Sequence, residues 1–325
     1  VVLNGLNIAQ KPNKEPNVTA LLSDTKPILI AGPTASGKSS LAIEIAQHVN
    51  GAIINADAVQ VYKGWSTLSA RPPQEDLDQC PHYMYGHVMM DHAYSAGEWL
   101  RDVQKQMASC AERGERPIIV GGTGLYFSAL TQGLAYIPEV PAAVRAQADQ
   151  MVVDHGRDVF AGILEKEDPE TYARIDVQNP ARTQRAWEVL TATGASLASW
   201  QDKTEAPILA EHDAHLFSLT SDTEWLNERI DRRFDIMLDL GALGECQAAL
   251  DAGWWDETQP SCKAIGAKEL ISHLQGDMDL TQAVEAAKLQ SRRYAKRQRT
   301  WFRGRMKNWQ KLHLSNSEFD LQQIL

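Results

Sequence analysis

The chain has 325 residues, of which 43% are hydrophobic and 23% charged, ordinary values for a protein with a sizeable buried core. That length exceeds a typical single domain and implies one large domain with an insertion, or two domains. A net charge of −10 taken alone argues against a nucleic-acid partner.

Val1–Thr25 is polar and rich in Asn, Lys and Pro, which reads as a loose extension without a signal peptide or membrane span. A cytoplasmic protein is expected. Pro27–Ala31 is a short apolar run ending at Gly32, the pattern of a buried strand. Ser39–His48 follows as a helix with Leu41, Ala42, Ile45 and Ala46 on one face. Ala52–Asn55, Pro117–Val120 and His215–Leu219 read as further strands. Strands alternating with helices predict a parallel α/β sheet of the P-loop type, covered on both faces. Functional groups in such sheets sit at the carboxyl ends of the strands, which gathers Gly32, Asp57 and Thr123 on one rim.

Four cysteines are scattered without a Cys-x-x-Cys pair, and His82, His87 and His92 recur at fives, a spacing that suits no metal site. Residues 26–137 are read as the first part of the core. Residues 138–180, punctuated by Pro138, Pro141 and Pro169, form a predicted helical insertion, and 181–325 complete the core. A long helix is predicted from Thr281 to about Met306. No Asp or Glu occurs between Ala286 and Ser317, where ten Lys and Arg residues fall. Arg292, Lys296, Arg299 and Arg303 recur at i, i+4, i+7 and i+11, a cationic face suited to a phosphate backbone. Arg182 and Arg185, at the end of the insertion, are placed to grip the same polyanion.

Gly32-Pro33-Thr34-Ala35-Ser36-Gly37-Lys38-Ser39 fits G-x-x-x-x-G-K-[ST] between a strand and a helix. The glycines let backbone N–H groups converge on phosphate oxygens, Lys38 adds a point charge, and Ser39 can hold Mg²⁺. A kinase, a GTPase or a diphosphate-releasing transferase could use such a loop. The sequence has no Asn-Lys-x-Asp stretch for guanine, and Pro117–Val120 runs into Gly121-Gly122-Thr123 rather than a Mg²⁺-binding aspartate. Asp57, just past the second strand, can be a general base, a metal-shell residue or a simple helix cap.

The blocks Gly32–Lys38, Asp57-x-x-Gln60-x-Tyr62 and Gly121-Gly122-Thr123-x-Leu125-Tyr126 resemble the tRNA dimethylallyltransferase family. So do Asn179-Pro180-x-Arg182-x-x-Arg185, Arg232-Arg233-Phe234-Asp235, Ala264-Ile265-Gly266-x-Lys268-Glu269 and Tyr294-Ala295-Lys296-Arg297-Gln298. The resemblance implies Mg²⁺-dependent transfer from dimethylallyl diphosphate to N6 of an adenosine in the tRNA anticodon stem-loop, by a monomer. It gives Asp57 the part of base, and sets Thr123, Arg233 and Lys38 against the diphosphate. Gln60, Lys268, Arg292, Lys296, Arg297, Arg299 and Arg303 fall on the tRNA side. Ala58, Leu68, Arg71 and Gly124 depart from the family's usual residues. Prenylation of a free adenine nucleotide and a P-loop small-molecule kinase are the alternatives.

Overall fold

The structure, a computed structural model, describes residues 24–314. Strands β1 (Ile28–Ala31), β2 (Gly51–Asn55), β3 (His82–Tyr83), β4 (Arg116–Gly121), β5 (His215–Ser221) and β6 (Gln310–Leu314) form one sheet. Their order is β3-β2-β4-β1-β5-β6, and every pairing is parallel. All four side chains of β1 are buried, as a central strand covered on both faces requires. Helix α1 (Lys38–Val49) returns from β1 and buries Leu41, Ala42 and Ile45 against Ile30, Ile118 and Phe217. The anticipated α/β sheet is present, and the four expected strands appear with bounds shifted by at most two residues. Two strands were not legible. β3 is two residues long, and β6 buries only Leu312, so neither carries an apolar run.

Beneath the sheet, the starts of three strands share one polar clamp. Arg116 is 6% exposed. Its Nε donates to the Lys26 carbonyl at 2.7 Å, and its Nη2 meets Asp24 Oδ1 at 2.8 Å. His215 Nε2 lies 2.9 Å from the same Asp24 oxygen. The expected loose extension therefore ends against the sheet at Asp24. Its earlier residues, 1–23, lie outside the described residues.

The chain divides into two compact units. The first contains the sheet and comprises residues up to Tyr94, Lys105–Gly124 and His212 onward. The second comprises Ser95–Gln104 and Leu125–Glu211, so the expected helical stretch over 138–180 falls inside it. In sequence, α2 (Gln74–Leu77) precedes β3, and α3 (Ala96–Glu112) and α4 (Gly124–Gln132) bracket β4. The second unit continues through α5 (Ala142–His155), α6 (Val159–Glu167), α7 (Pro169–Arg174), α8 (Pro180–Thr193) and α9 (Leu197–Gln201). Phe160, Leu164, Ala186 and Trp187 are its core. Pro169 and Pro180 each open a helix, where a missing N–H costs nothing. Asp168 caps α7 by accepting from Thr171 N at 3.0 Å.

After β5 come α10 (Thr223–Asp239), α11 (Ala242–Asp251), α12 (Ala267–Leu274) and α13 (Leu280–Arg305). A capping box between Asp279 and Gln282 opens α13. A second core of Val61, Tyr62, Trp65, Phe234, Met237 and Leu270 fastens the segment after β2 to these helices. Trp65 stands edge-on to Trp254 at 4.8 Å and donates to the Ser261 carbonyl at 2.7 Å.

The clamp predicts an acid sensitivity. Burial works to raise the Asp24 carboxyl, but hydrogen bonds from His215 and the Lys26 N–H, with the His215 and Arg116 charges, hold it below its ordinary value. A depressed carboxylate stabilises the fold above its unfolded value, about pH 4, and that stability is lost as pH falls through the folded value. Asp24→Asn should cost about 1–2 kcal/mol at neutral pH, a charge-assisted bond lost by a buried guanidinium. The gap from the parent in urea unfolding should close on acidification; a gap independent of pH would refute the assignment.

Candidate active site

The turn after β1 is an anion cradle. Ala35 and Gly37 take positive φ values, 61° and 86°, so that the loop curls back before α1 begins. The first N–H groups of α1 have no acceptor in the helix and face the loop's concavity. Ser36 Oγ is buried and has no hydrogen-bond partner among the described residues, an orphan that a phosphate oxygen would satisfy. Helix α10 supplies the opposite wall. Arg229, Arg232 and Arg233 line a cavity of about 330 Å³ together with Ser36, Lys38 and Ser39. Arg229 also fixes the loop itself, donating to the Ala35 carbonyl at 3.0 Å while stacking on Trp225 at 4.7 Å. Burial pushes the Lys38 ammonium down to about 8, Arg233 pushes the same way, and Asp57 opposes both.

A second, larger cavity of about 430 Å³ shares Ala35 and Arg233 with the cradle. Leu68, Ile230, Phe234 and Met237 give it apolar walls, and Asp57, Tyr294 and Arg297 give it polar ones. Asp57 Oδ1 accepts from Val59 N at 2.9 Å and from Gln60 N at 3.4 Å, so it does cap the turn. Its Oδ2 has no donor among the described residues. Thr123 follows β4, and its Oγ1 accepts from Ala58 N at 2.9 Å, which fixes the hydroxyl beside Asp57. The geometry thus joins a cationic cradle, an apolar cavity and a carboxylate at their junction.

The IPP transferase family model matches residues 60–305. The chain belongs to this family. It is 53% identical over 299 residues to a tRNA dimethylallyltransferase of Cereibacter sphaeroides, covering 92% of each chain. A solved full-length tRNA isopentenylpyrophosphate transferase from Bacillus halodurans superposes with a TM-score of 0.66 at 30% identity, over 93% of this chain and 94% of the other. A eukaryotic dimethylallyltransferase acting on tRNA reaches 0.75 at 27% identity, covering 89% of this chain and 74% of that one.

The structure brings some of the residues singled out in the sequence together and gives others different partners. Gly32–Ser39 forms the turn that lines the cradle cavity, with Lys38 and Arg233 both half-buried beside it. Gln60 faces inward, but its Nε2 donates to the Ser69 and Ala70 carbonyls at 2.9 and 2.8 Å. It braces a cavity wall rather than offering its amide hydrogens to a base. The same wall is held from behind by Glu245, which accepts from Ser66, Thr67 and Leu68 N–H groups at 2.5–3.0 Å. Nothing in the spacing of the sequence pointed to Glu245. Lys268 pairs with Glu257 at 2.5 Å on the surface, and Lys263 lines the cavity instead. Arg182 and Arg185 sit on α8 of the second unit, Arg185 at 3.7 Å from Glu188. Gly124, a departure from the family's usual residue, is required here. A Cβ would fall 2.1 Å from the Trp301 ring.

The basic helix divides its charges between two tasks. Arg292 binds Asp231 at 2.6 Å, Arg299 donates to Thr223 Oγ1 at 2.6 Å, and Lys288 meets Asp235 at 2.7 Å. These partners descend α10 as α13 ascends, so the two helices pack antiparallel around Ala295, Leu226 and Ile230. Arg292 and Arg299 are expected on the tRNA side of this helix; the structure pairs both with residues of α10. Arg293, Lys296, Arg297 and Arg303 are exposed.

Mg²⁺ fits the residues present. Ser39 is exposed on the first turn of α1 beside the orphaned Ser36 hydroxyl, and Mg²⁺ favours a few protein oxygens supplemented by substrate phosphates. Among the described residues no cluster of three His, Cys, Asp or Glu side chains could hold a metal, so a hydroxyl and ligand oxygens would form its shell.

The depressed Lys38 ammonium predicts a pH limit on anion binding. Below about 8 it is charged, and above that value its attraction is lost. Affinity for inorganic diphosphate should exceed that of Lys38→Met near neutrality by about 10-fold or more, one charge-assisted contact. That advantage should shrink in calorimetric titrations run from about pH 7 to about pH 10. A constant ratio between the two proteins would mean the ammonium does not face the anion.

Proposed function

We propose that this chain transfers the dimethylallyl group of dimethylallyl diphosphate to N6 of an adenosine beside the tRNA anticodon. The observation that carries the reading is the junction at Arg233 and Ala35, where a cavity walled by Leu68, Phe234 and Met237 meets the phosphate cradle. A prenyl diphosphate is apolar at one end and highly charged at the other, which matches that pair of cavities. The allylic C–O bond breaks as the C–N6 bond forms, the diphosphate leaves into the cradle, and the N6 proton passes to Asp57 Oδ2. Lys38, Arg233 and the N–H groups at the start of α1 offer preorganised positive charge where the leaving group's charge grows. Thr123 Oγ1 accepts from Ala58 N–H and would turn its own hydrogen toward the bridging oxygen. Mg²⁺ held by Ser39 and phosphate oxygens would neutralise further charge on the departing diphosphate.

An adenosine in an anticodon loop must leave its stack to reach such a cavity. Exposed Arg293, Lys296, Arg297 and Arg303 on α13 supply the attraction for the RNA backbone. Arg297 lies on the cavity rim, its guanidinium 5.6 Å from the Tyr294 ring, where it can stack on an extruded base. On this reading the protein is a cytoplasmic monomer acting where its tRNA substrate is found. No helix among the described residues is long and apolar enough to cross a membrane.

Incubation with dimethylallyl diphosphate, Mg²⁺ and total tRNA should yield prenylated adenosine without ATP. Product formed only with ATP would establish a kinase instead. Asp57→Asn should lower turnover by about 100- to 10,000-fold, the usual share of a general base, with tRNA and diphosphate affinity nearly kept. A loss confined to Mg²⁺ or diphosphate affinity would reassign Asp57 to the metal shell.

The helix charges separate in a second measurement. Lys296→Gln and Arg303→Gln should each reduce the salt slope of tRNA binding by about one unit without changing stability. Arg292→Gln should instead lower stability, since it leaves Asp231 unpaired. Equal slopes in all three variants would show that α13 does not contact RNA.

A further inference from the structure

Gln298 lies on the basic helix, yet it points inward and is 5% exposed. Its Oε1 accepts from the Thr34 N–H at 2.9 Å, and its Nε2 donates to the Gly122 carbonyl at 2.9 Å. These partners fix the orientation of the amide, because an N–H needs the oxygen and a carbonyl needs the NH₂. Thr34 belongs to the phosphate loop, and Gly122 to the turn after β4. A side chain on Gly122 is excluded, since its Cβ would fall 2.2 Å from Gln298 Nε2. The same position lies 3.4 Å from Asp57 Oδ2, so the turn abuts the free oxygen of that carboxylate. One turn earlier on α13, Tyr294 lies near Thr123 and Gln298 and lines the cavity with Asp57. Burial and then the Asp57 charge push its hydroxyl well up, so it stays protonated.

One buried amide therefore ties the diphosphate cradle to the strand end that carries Thr123 and borders Asp57. We propose that Gln298 is a positioning residue for prenyl transfer, setting the separation between the leaving-group cradle and the Asp57–Thr123 edge without touching either substrate. This rests on the prenyl-transfer reading above. In-line displacement places the allylic carbon between a leaving oxygen held by the phosphate loop and a nitrogen whose proton goes to Asp57. Only a fixed distance between those two supports keeps all three atoms aligned. Thr34 and Gly122 lie on different loops, and the Gln298 amide is the side chain that bonds the backbone of both. Because the amide is carried by α13, the exposed cations and the cradle share one rigid element.

Gln298→Met keeps length and volume but removes both hydrogen bonds. It should lower kcat by about 10- to 100-fold, the effect of a misplacement on the order of 1 Å. KM for dimethylallyl diphosphate and for tRNA should stay within about three-fold, because every contacting group remains. A parent-like kcat overturns the proposal, as does a fall that merely tracks lost folded protein in circular dichroism. Gln298→Glu gives a second reading that holds even where the methionine variant folds poorly. A protonated carboxyl donates and accepts as the amide does here, whereas an ionised one cannot donate to the Gly122 carbonyl. Its turnover relative to the parent should therefore fall as pH rises from about 5 to about 9. A ratio flat across that range would count against the bridge. The parent is run beside both variants: no prenylated nucleoside from it removes the function reading itself, while normal parent turnover with parent-like variants removes only the positioning role.

Discussion

Lys38 and Arg233 are cations from different elements that burial places within each other's field, with Arg229 adding to the repulsion. Desolvation depresses both groups, and Asp57 is the carboxylate that opposes the effect at each. Such an arrangement is unfavourable by itself, since like charges withdrawn from water repel strongly. It persists because the surrounding structure over-determines it. Lys38 is anchored by α1 on the sheet, Arg233 by the packing of Phe234 and Met237, and Arg229 by its bond to the loop carbonyl. The strain is relieved by an anion carrying more than one charge. A diphosphate would have that charge, and the adjoining apolar cavity would suit an apolar group attached to it.

The seam between α10 and α13 follows from the same constraint. Helix α10 must present Arg229, Arg232 and Arg233 to the cradle, so its other faces have to be held firmly. Asp231 and Asp235 lie on those faces and capture Arg292 and Lys288 of α13. A basic helix packed against acidic residues loses part of its charge to the fold. What remains exposed on the helix is Arg293, Lys296, Arg297, Arg303 and Arg305, of which Arg297 lines the cavity.

The phosphate loop was legible because its chemistry is local: eight consecutive residues specify a turn, a helix start and an anion cradle. Helix α13 was legible from its long basic run and the helical spacing of its cations. The partners of its charges were not, because Asp231 and Thr223 are distant in sequence, and a period of 3.6 cannot say which face meets another helix. Gln298 illustrates the limit more sharply. In sequence it is one polar residue in a basic run, and its task appears only when α13 crosses between two loops 88 residues apart, Thr34 and Gly122. Gln60 failed for the opposite reason. Its position was anticipated, but two backbone carbonyls of the Ser69–Ala70 turn claim its amide hydrogens first. The edge strand β6 escaped notice because half-exposed strands need few apolar residues.

Asp57 was open to three readings, a turn cap, a metal-shell residue or a base, and the geometry makes the cap compatible with either of the others. A carboxylate has two oxygens, and here Oδ1 is engaged by the backbone N–H groups of Val59 and Gln60. Those bonds arrest rotation of the side chain, which would otherwise sweep its charge through several positions. The second oxygen is consequently held in one place, beside the Gly122 turn and facing the cavity. Asn55 reinforces this from the other side, its Oδ1 accepting from Asp57 N at 2.9 Å and its Nδ2 donating to the Asp57 carbonyl at 3.1 Å. A general base needs a fixed direction as much as a suitable basicity. The cap supplies the direction and leaves Oδ2 facing the cavity.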